Sequence, residues 1–253
     1  MTNKLPNLKI NLEELPKRVL VCGDPFRAKK IASLLENATL LAESREYHSF
    51  KGKWNGVEVG VVSHGVGSPG AADCFEELAL GGVQQIIRVG TAGSYQADVT
   101  PGSLVISKAA VRCDGLTSQL VPQGFPAVAD AKIVEALVDA AKRNELDVHS
   151  GITLTLDVFY QGVLEFPHAL YQKAGVLAVE MEISALYIIS SLRGMKAGAI
   201  VAIDGYADAD LRNTYNPHTD KVKEAVDDGI KIALDALVTL YKRLFLQRIL
   251  FLE

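Results

Sequence analysis

Short apolar runs alternate along this chain with stretches of helical spacing, and that alternation predicts an α/β architecture. Residues 18–22, Arg-Val-Leu-Val-Cys, are too short a run for a helix and read as a buried strand. They end in Gly23-Asp24-Pro25, and helical spacing follows over 28–35, with the proline where a first helical turn accepts it. The residues ahead of this unit, 6–16, read as a short strand or extended arm. Two strands are expected over 44–54 and 57–64, joined by Asn55-Gly56, a strong hairpin signal. A glycine-rich loop follows, Ser63-His64-Gly65-Val66-Gly67-Ser68, then a helix over 71–79 that Gly81-Gly82 stops. The run Gln85-Ile86-Ile87-Arg88-Val89 reads as a buried strand emptying into a tight loop, Gly90-Thr91-Ala92-Gly93-Ser94.

Further strands are expected over 103–113, 151–157, 177–182 and 199–205. Residues 131–143 form an amphipathic helix with Ile133, Leu137, Ala140 and Ala141 on one face, and 183–192 form another helix. A long polar connection over 206–220 leads into one helix over 221–252; a connection of that length is often functional. No repeat, low-complexity linker or shift of composition divides the chain. It reads as a single domain, 1–253, with a mixed central sheet and an apolar C-terminal helical extension over 244–253.

Composition narrows the partners. Apolar residues at 49% and charged residues at 22% support a sizeable core and exclude a disordered chain. The net charge of -4, without a long Lys or Arg run, argues against nucleic acid or a membrane surface. Cys22, Cys74 and Cys113 are odd in number, far apart and without a CxxC pair. They read as reduced core thiols of a cytoplasmic protein rather than a disulfide framework or zinc site. Neither a signal-peptide h-region nor a membrane-length apolar segment is expected.

The candidate chemistry collects at strand ends, the edge where open α/β sheets bind ligands. Arg88 and the hydroxyls of Thr91 and Ser94, with backbone N–H groups, suit an oxyanion such as phosphate. The same residues equally make a glycine turn after a core strand, with Arg88 in a structural ion pair. Arg27 falls in the first turn of the first helix, where the dipole favours acids. A cation there points to an anionic ligand, or is simply a solvated arginine. In Glu180-Met181-Glu182 the two carboxylates share a side if the segment is a strand. Otherwise Glu180 is a core ion-pair partner and Glu182 a helix-start residue. Asp204-Gly205 is either a strand-end acid or an ordinary Asp-Gly turn.

Taken together and in order, five motifs resemble the nucleoside phosphorylase-I family, specifically the hexameric purine nucleoside and uridine phosphorylases. They are Gly23-Asp24-Pro25-x-Arg27, the Ser63 to Ser68 loop, Arg88-Val-Gly90-Thr91-Ala-Gly93-Ser94, Val179-Glu180-Met181-Glu182 and Asp204-Gly205. The resemblance spans 8–243. It implies a three-layer αβα fold and reversible phosphorolysis of a nucleoside to free base and ribose 1-phosphate. Inorganic phosphate would be the co-substrate, with no metal or organic cofactor. It assigns phosphate binding to Gly23, Arg27, Arg88 and Thr91, with Arg45 reaching in from the neighbouring subunit of a dimer. Met181 and Glu182 would hold the ribose, and Phe159 and Tyr160 would wall the base or sugar. Asp204 would be the catalytic acid at purine N7. The implied assembly is a homo-oligomer, a hexamer built as a trimer of dimers with shared sites, without nucleic-acid or membrane partners.

Uridine phosphorylases read uracil with a Gln-x-Arg pair shortly after Phe-Tyr; here Gln161-Gly162-Val163-Leu164-Glu165 lacks it, which favours a purine. Asn7 stands where the family usually has a histidine that contacts the ribose 5′-hydroxyl across the dimer. The segment from Tyr206 to Arg212 also departs from the family's forms. Arg212 would assist Asp204, contact the base or be solvated. The alternatives are a uridine or dual-specificity phosphorylase, a nucleosidase using water, and a non-catalytic nucleoside-binding protein. A nucleosidase has little use for Arg27, Arg45 and Arg88 together, and a binding protein has no need of Asp204.

Overall fold

The computed structural model describes residues 3–209, 211 and 215–250, with side chains as far as 241. The N-terminal part runs β1 (Arg18–Cys22), α1 (Pro25–Ala32), β2 (Glu36–Ser44), β3 (Tyr47–Trp54), β4 (Val57–Ser63) and α2 (Ser68–Leu80). The centre holds β5 (Gln85–Ser94), β6 (Leu104–Cys113), α3 (Thr117–Leu120), β7 (Ala127–Val128), α4 (Ala131–Arg143) and β8 (His149–Leu156). The rest is α5 (His168–Lys173), β9 (Ala178–Glu180), α6 (Ile183–Arg193), β10 (Lys196–Tyr206) and α7 (Asp220–Leu250).

All the strands join one mixed sheet, and its topology makes the site. From one edge the order is β2, β3, β4, β1, β5; beyond β5 the sheet curls into a ring of β5, β10, β6, β8 and β9. β10 pairs with β5 along its whole length, from Gln85 to Ser94. The other flank of β5 is covered in two pieces: β1 pairs with residues up to Arg88, and β9 pairs only with Gly93 and Ser94. Between them, Val89 to Ala92 have no strand neighbour on that side. β1 and β9 diverge here, so a crevice opens at the carboxyl end of parallel strands, where α/β sheets bind ligands.

Helices cover both faces of the sheet and bury two apolar layers. One layer packs α2 and α6 on the sheet through Phe75, Leu78, Leu186 and Tyr187. The other packs α1, α4 and α7 through Ile31, Ile133, Leu137, Ile230 and Leu237. Each such side chain, fully withdrawn from water, contributes about 1.5–3 kcal/mol. The spacing of α4 is realised: Ile133, Leu137, Ala140 and Ala141 are all buried, and Asp130 caps the helix by accepting from the N–H groups of Lys132 and Ile133.

Four sequence expectations need correction. Gly90 to Ser94 is not a tight loop; it is the second half of β5, kept extended by β10. The glycines there make room for neighbours rather than turning the chain: a Cβ at Gly90 would meet the Arg88 head and one at Gly93 would meet Ala207. The strand β2 was not anticipated, because as an edge strand it is largely exposed and has no alternation to read. Consequently the strand expected from 44 starts at Tyr47, after a turn in which Arg45 has φ 54°. The lead-in is not a strand: Leu12–Glu14 is a 3₁₀ turn and, among the described residues there, only Lys4 and Asn11 bridge. It is tied down by Leu5, Leu8 and Ile10 in the core and by Glu77, whose carboxylate accepts from the N–H groups of Asn7 and Leu8 at 2.7 and 2.8 Å. The side chains of 244–253 and Arg212 lie outside the described residues.

Candidate active site

A cavity of about 1080 Å³ opens at the crevice. The turn after β1 lines it with Gly23, the first turn of α1 with Arg27, and β5 with Arg88 and Thr91. Across from these stand Met181 and Glu182 before α6, and Asp204 near the end of β10. Phe159 and Tyr160, half-exposed or more beyond β8, form the outer wall. Gly23, Phe159, Tyr160, Met181, Glu182 and Asp204 lie within four residues of a strand's carboxyl end and Thr91 lies on the open flank of β5, which explains why segments distant in sequence converge. Two expected site residues stand apart from this cavity. Arg45 is exposed on the β2–β3 turn, where its neighbour Glu46 lines the cavity instead, and Asn7 is held at the lead-in by Glu77.

Arg88 is the electrostatic centre. It is 4% exposed, and Nη2 donates to Glu182 while Nη1 lies 3.5 Å from Glu180 Oε2. Its Nε and Nη1 have no hydrogen-bond partner among the described residues. Buried donors left unpaired cost roughly 1–3 kcal/mol each, so this guanidinium is built to accept a further anion. Space for its head comes from Gly90: a Cβ at that position would lie 2.1 Å from Arg88 Nη1. Burial alone would discourage the charge, but the two carboxylates overcome it and hold Arg88 cationic.

The two glutamates have separate jobs. Glu180 accepts from Thr155 Oγ1 at 2.6 Å and from the N–H groups of Glu182 and Ile183, so its oxygens are spoken for by the fold. It anchors the start of α6 with a carboxylate where the helix dipole favours one. Glu182 accepts from the Gly67 N–H at 2.6 Å and from Arg88. A carboxylate has about four acceptor positions, so Glu182 retains capacity toward the cavity. Burial pushes Glu180 up and the neighbouring Glu182 charge adds to this, while Arg88 opposes both. Glu182 moves the other way: burial opposes its charge, but Arg88 carries it below the usual range. The structural reading of this motif thus holds for both acids: Glu180 is an ion-pair partner in the core and Glu182 is the residue that starts α6.

Asp204 sits at a register shift in β10, between Ile203 and Gly205. Burial raises its pKa against the hydrogen bonds of Tyr215 and Thr91. A carboxyl whose pKa is raised by burial, with polar contacts that aim it, is suited to act as a general acid. His64, by contrast, belongs to the wall rather than the cavity. It is fully buried edge-on against Phe75, and burial lowers it to about 4 so that it stays neutral.

Sequence reading missed three cavity residues. Glu46 arrives on an unanticipated turn, and Tyr215 comes from the long connection. His168 lies at the start of α5, its Nδ1 2.8 Å from Tyr95 Oη. The length of the 206–220 connection was the one available signal for Tyr215. Among the described residues no three His, Cys, Asp or Glu side chains converge as a metal site, and no helix is long and apolar enough to cross a membrane.

Known proteins resemble this chain in sequence and in fold. The chain is 38% identical over 247 residues to a purine nucleoside phosphorylase of Plasmodium falciparum, covering 95% of this chain and 98% of the relative. It is 32% identical over 230 residues to a uridine phosphorylase of Salmonella typhimurium, covering 86% and 89%. The crystal structure of purine nucleoside phosphorylase from Toxoplasma gondii in complex with immucillin-H superposes with a TM-score of 0.93. That match is at 33% identity and covers 96% of this chain and 98% of the other. The Phosphorylase superfamily profile matches residues 17–239, and with these relatives the chain belongs to that superfamily, in its nucleoside phosphorylase-I family.

Proposed function

We propose that this chain catalyses reversible phosphorolysis of nucleosides, foremost purine nucleosides such as inosine or guanosine, to the free base and ribose 1-phosphate. The observation that carries this reading is Arg88: a buried guanidinium with unpaired donors, beside Arg27 and Thr91, in the same cavity as a carboxyl held up by burial. Phosphate bound by Gly23, Arg27, Arg88 and Thr91 satisfies those donors and sits as a dianion beside the sugar. Glu182 accepts from the ribose hydroxyls, and Met181 packs on the sugar. Phe159 and Tyr160 wall the base. As the C–N bond breaks, phosphate both attacks C1′ and offsets the positive charge developing on the ribosyl group. Asp204 protonates purine N7 so that the base leaves neutral. No metal or organic cofactor has a part in these steps.

Support for a purine comes from Asp204, from the missing Gln-x-Arg pair and from the purine-named relatives above. A uridine-named relative at 32% identity makes pyrimidine cleavage the second reading. Inosine and uridine, assayed with and without phosphate, separate the cases. Base release from inosine is expected only with phosphate; equal release in phosphate-free buffer would overturn phosphorolysis, and faster cleavage of uridine would overturn the purine assignment.

The proposal extends to assembly. Exposed Arg45 and arm-borne Asn7 are not among the residues lining their own cavity, and we assign them to the site of a second copy, within a cytoplasmic hexamer of three dimers. Arg45→Ala and Glu182→Ala subunits, each inactive alone, are then expected to regain activity when co-refolded, since a heterodimer has one intact site. Mixtures that exchange subunits yet stay inactive would exclude sharing.

A further inference from the structure

Tyr215 is the described residue of the long connection that reaches the acid. Its hydroxyl donates to Asp204 Oδ2 at 3.1 Å. The ring is fixed on two sides. It lies against the backbone of Gly205, where a Cβ would come within 2.7 Å of the ring carbon Cδ2, and it meets Phe159 edge-on with centroids 6.2 Å apart. Tyr215 therefore bridges the base wall and the acid. It also stands where the main cavity adjoins a second one of about 490 Å³; Arg27, Thr91, Asp204 and Tyr215 line both.

We propose that Tyr215 is a positioning residue for Asp204, holding Oδ2 as the acceptor so that the transferable proton resides on Oδ1. The inference rests on Asp204 being the acid at N7. A protonated carboxyl has one O–H and one carbonyl oxygen, and the oxygen that receives the phenol's proton is favoured as the carbonyl. Burial and the charge of Asp204 both raise the Tyr215 pKa, so the phenol stays a donor across the working range. Among the described residues, the other groups facing Asp204 are the Thr91 hydroxyl from β5 and Arg27 from α1. Lys30, His218 and Lys223 line the adjoining cavity, and Tyr160 acts on Tyr215.

Tyr215→Phe keeps the ring against Gly205 and Phe159 and removes only the hydroxyl. For inosine, kcat is expected to fall roughly 10-fold, within the range of general acid effects, with KM little changed. The hydroxyl stabilises the carboxylate, so its loss raises the pKa of Asp204. The alkaline limb of the inosine profile should move up by about one pH unit relative to wild type. N7-methylguanosine, whose base leaves without that proton, should be spared. An unmoved limb, or equal slowing of both substrates, would mean that Tyr215 only packs. Asp204→Asn measured alongside separates the two assignments. If that variant cleaves inosine normally, the acid itself is misassigned; if it is slow while Tyr215→Phe matches wild type, only the positioning role fails.

Discussion

Arg88→Ala should raise the phosphate KM far more than the nucleoside KM and destabilise the fold by roughly 3–5 kcal/mol, the cost of leaving a buried ion pair half-made. The structure adds the second effect to the first. Removing the guanidinium takes a charge-assisted contact from phosphate, and it also strands Glu180 and Glu182, both 4% exposed, without a counter-charge. The pH dependence follows from the shifts. In the wild type Glu182 lies below its ordinary value, so its contribution is present above the unfolded pKa and lost as acid protonates it. Without Arg88 both acids shift upward, and stability is then greatest in mild acid and falls as pH rises through their folded values. Urea unfolding at about pH 5 and pH 8 reads this out, with the gap to wild type widening at the higher pH. Arg88→Lys should recover most of the stability while leaving phosphate binding impaired, because an ammonium cannot make the paired planar contacts. A variant whose stability loss is the same at both pH values would mean that the carboxylates are not what Arg88 neutralises.

Asp204→Asn should slow inosine phosphorolysis by about 10²–10⁴-fold, the usual worth of a positioned general acid. The amide is nearly isosteric and can still accept from Tyr215, so ribose 1-phosphate should bind almost as before. The wild-type rate on inosine should fall as pH rises through the raised pKa of Asp204, whereas the variant should lack that limb. Stability moves the opposite way. A carboxyl with a raised folded pKa contributes fully below its unfolded value and loses that contribution as pH rises through the folded one. At neutral pH the uncharged asparagine avoids the loss, so the slow enzyme should also be the more stable one. Equal slowing of inosine and N7-methylguanosine would reduce Asp204 to a structural Asp-Gly residue.

Much of the fold was legible because its signals are local. The run 18–22 became β1 without adjustment, the α4 stripe became a buried face, and Asn55-Gly56 became the β3–β4 turn with φ 49° and 78°. Such segments carry their own period, capping and turn chemistry. β2 escaped because an exposed edge strand has no buried face to impose alternation. Gly90 to Ser94 was misread as a loop because glycine and small residues ordinarily mark turns. In β5 they are held straight by β10, which is far away in sequence, and Gly90 leaves room for the Arg88 head.

The sequence by itself determined the alternation of strands and helices, the family and the chemical types present: guanidiniums, carboxylates and hydroxyls gathered near strand ends. Only the tertiary structure decided their states. It divided the glutamates, because one meets the donors of Thr155 and the start of α6 while the other meets Arg88 and Gly67. It brought Tyr215 onto Asp204 from a connection whose residues have no periodicity, and it left Arg45 outside its own cavity. Burial and charge pairing depend on distances between segments far apart along the chain, and one-dimensional order does not contain those distances.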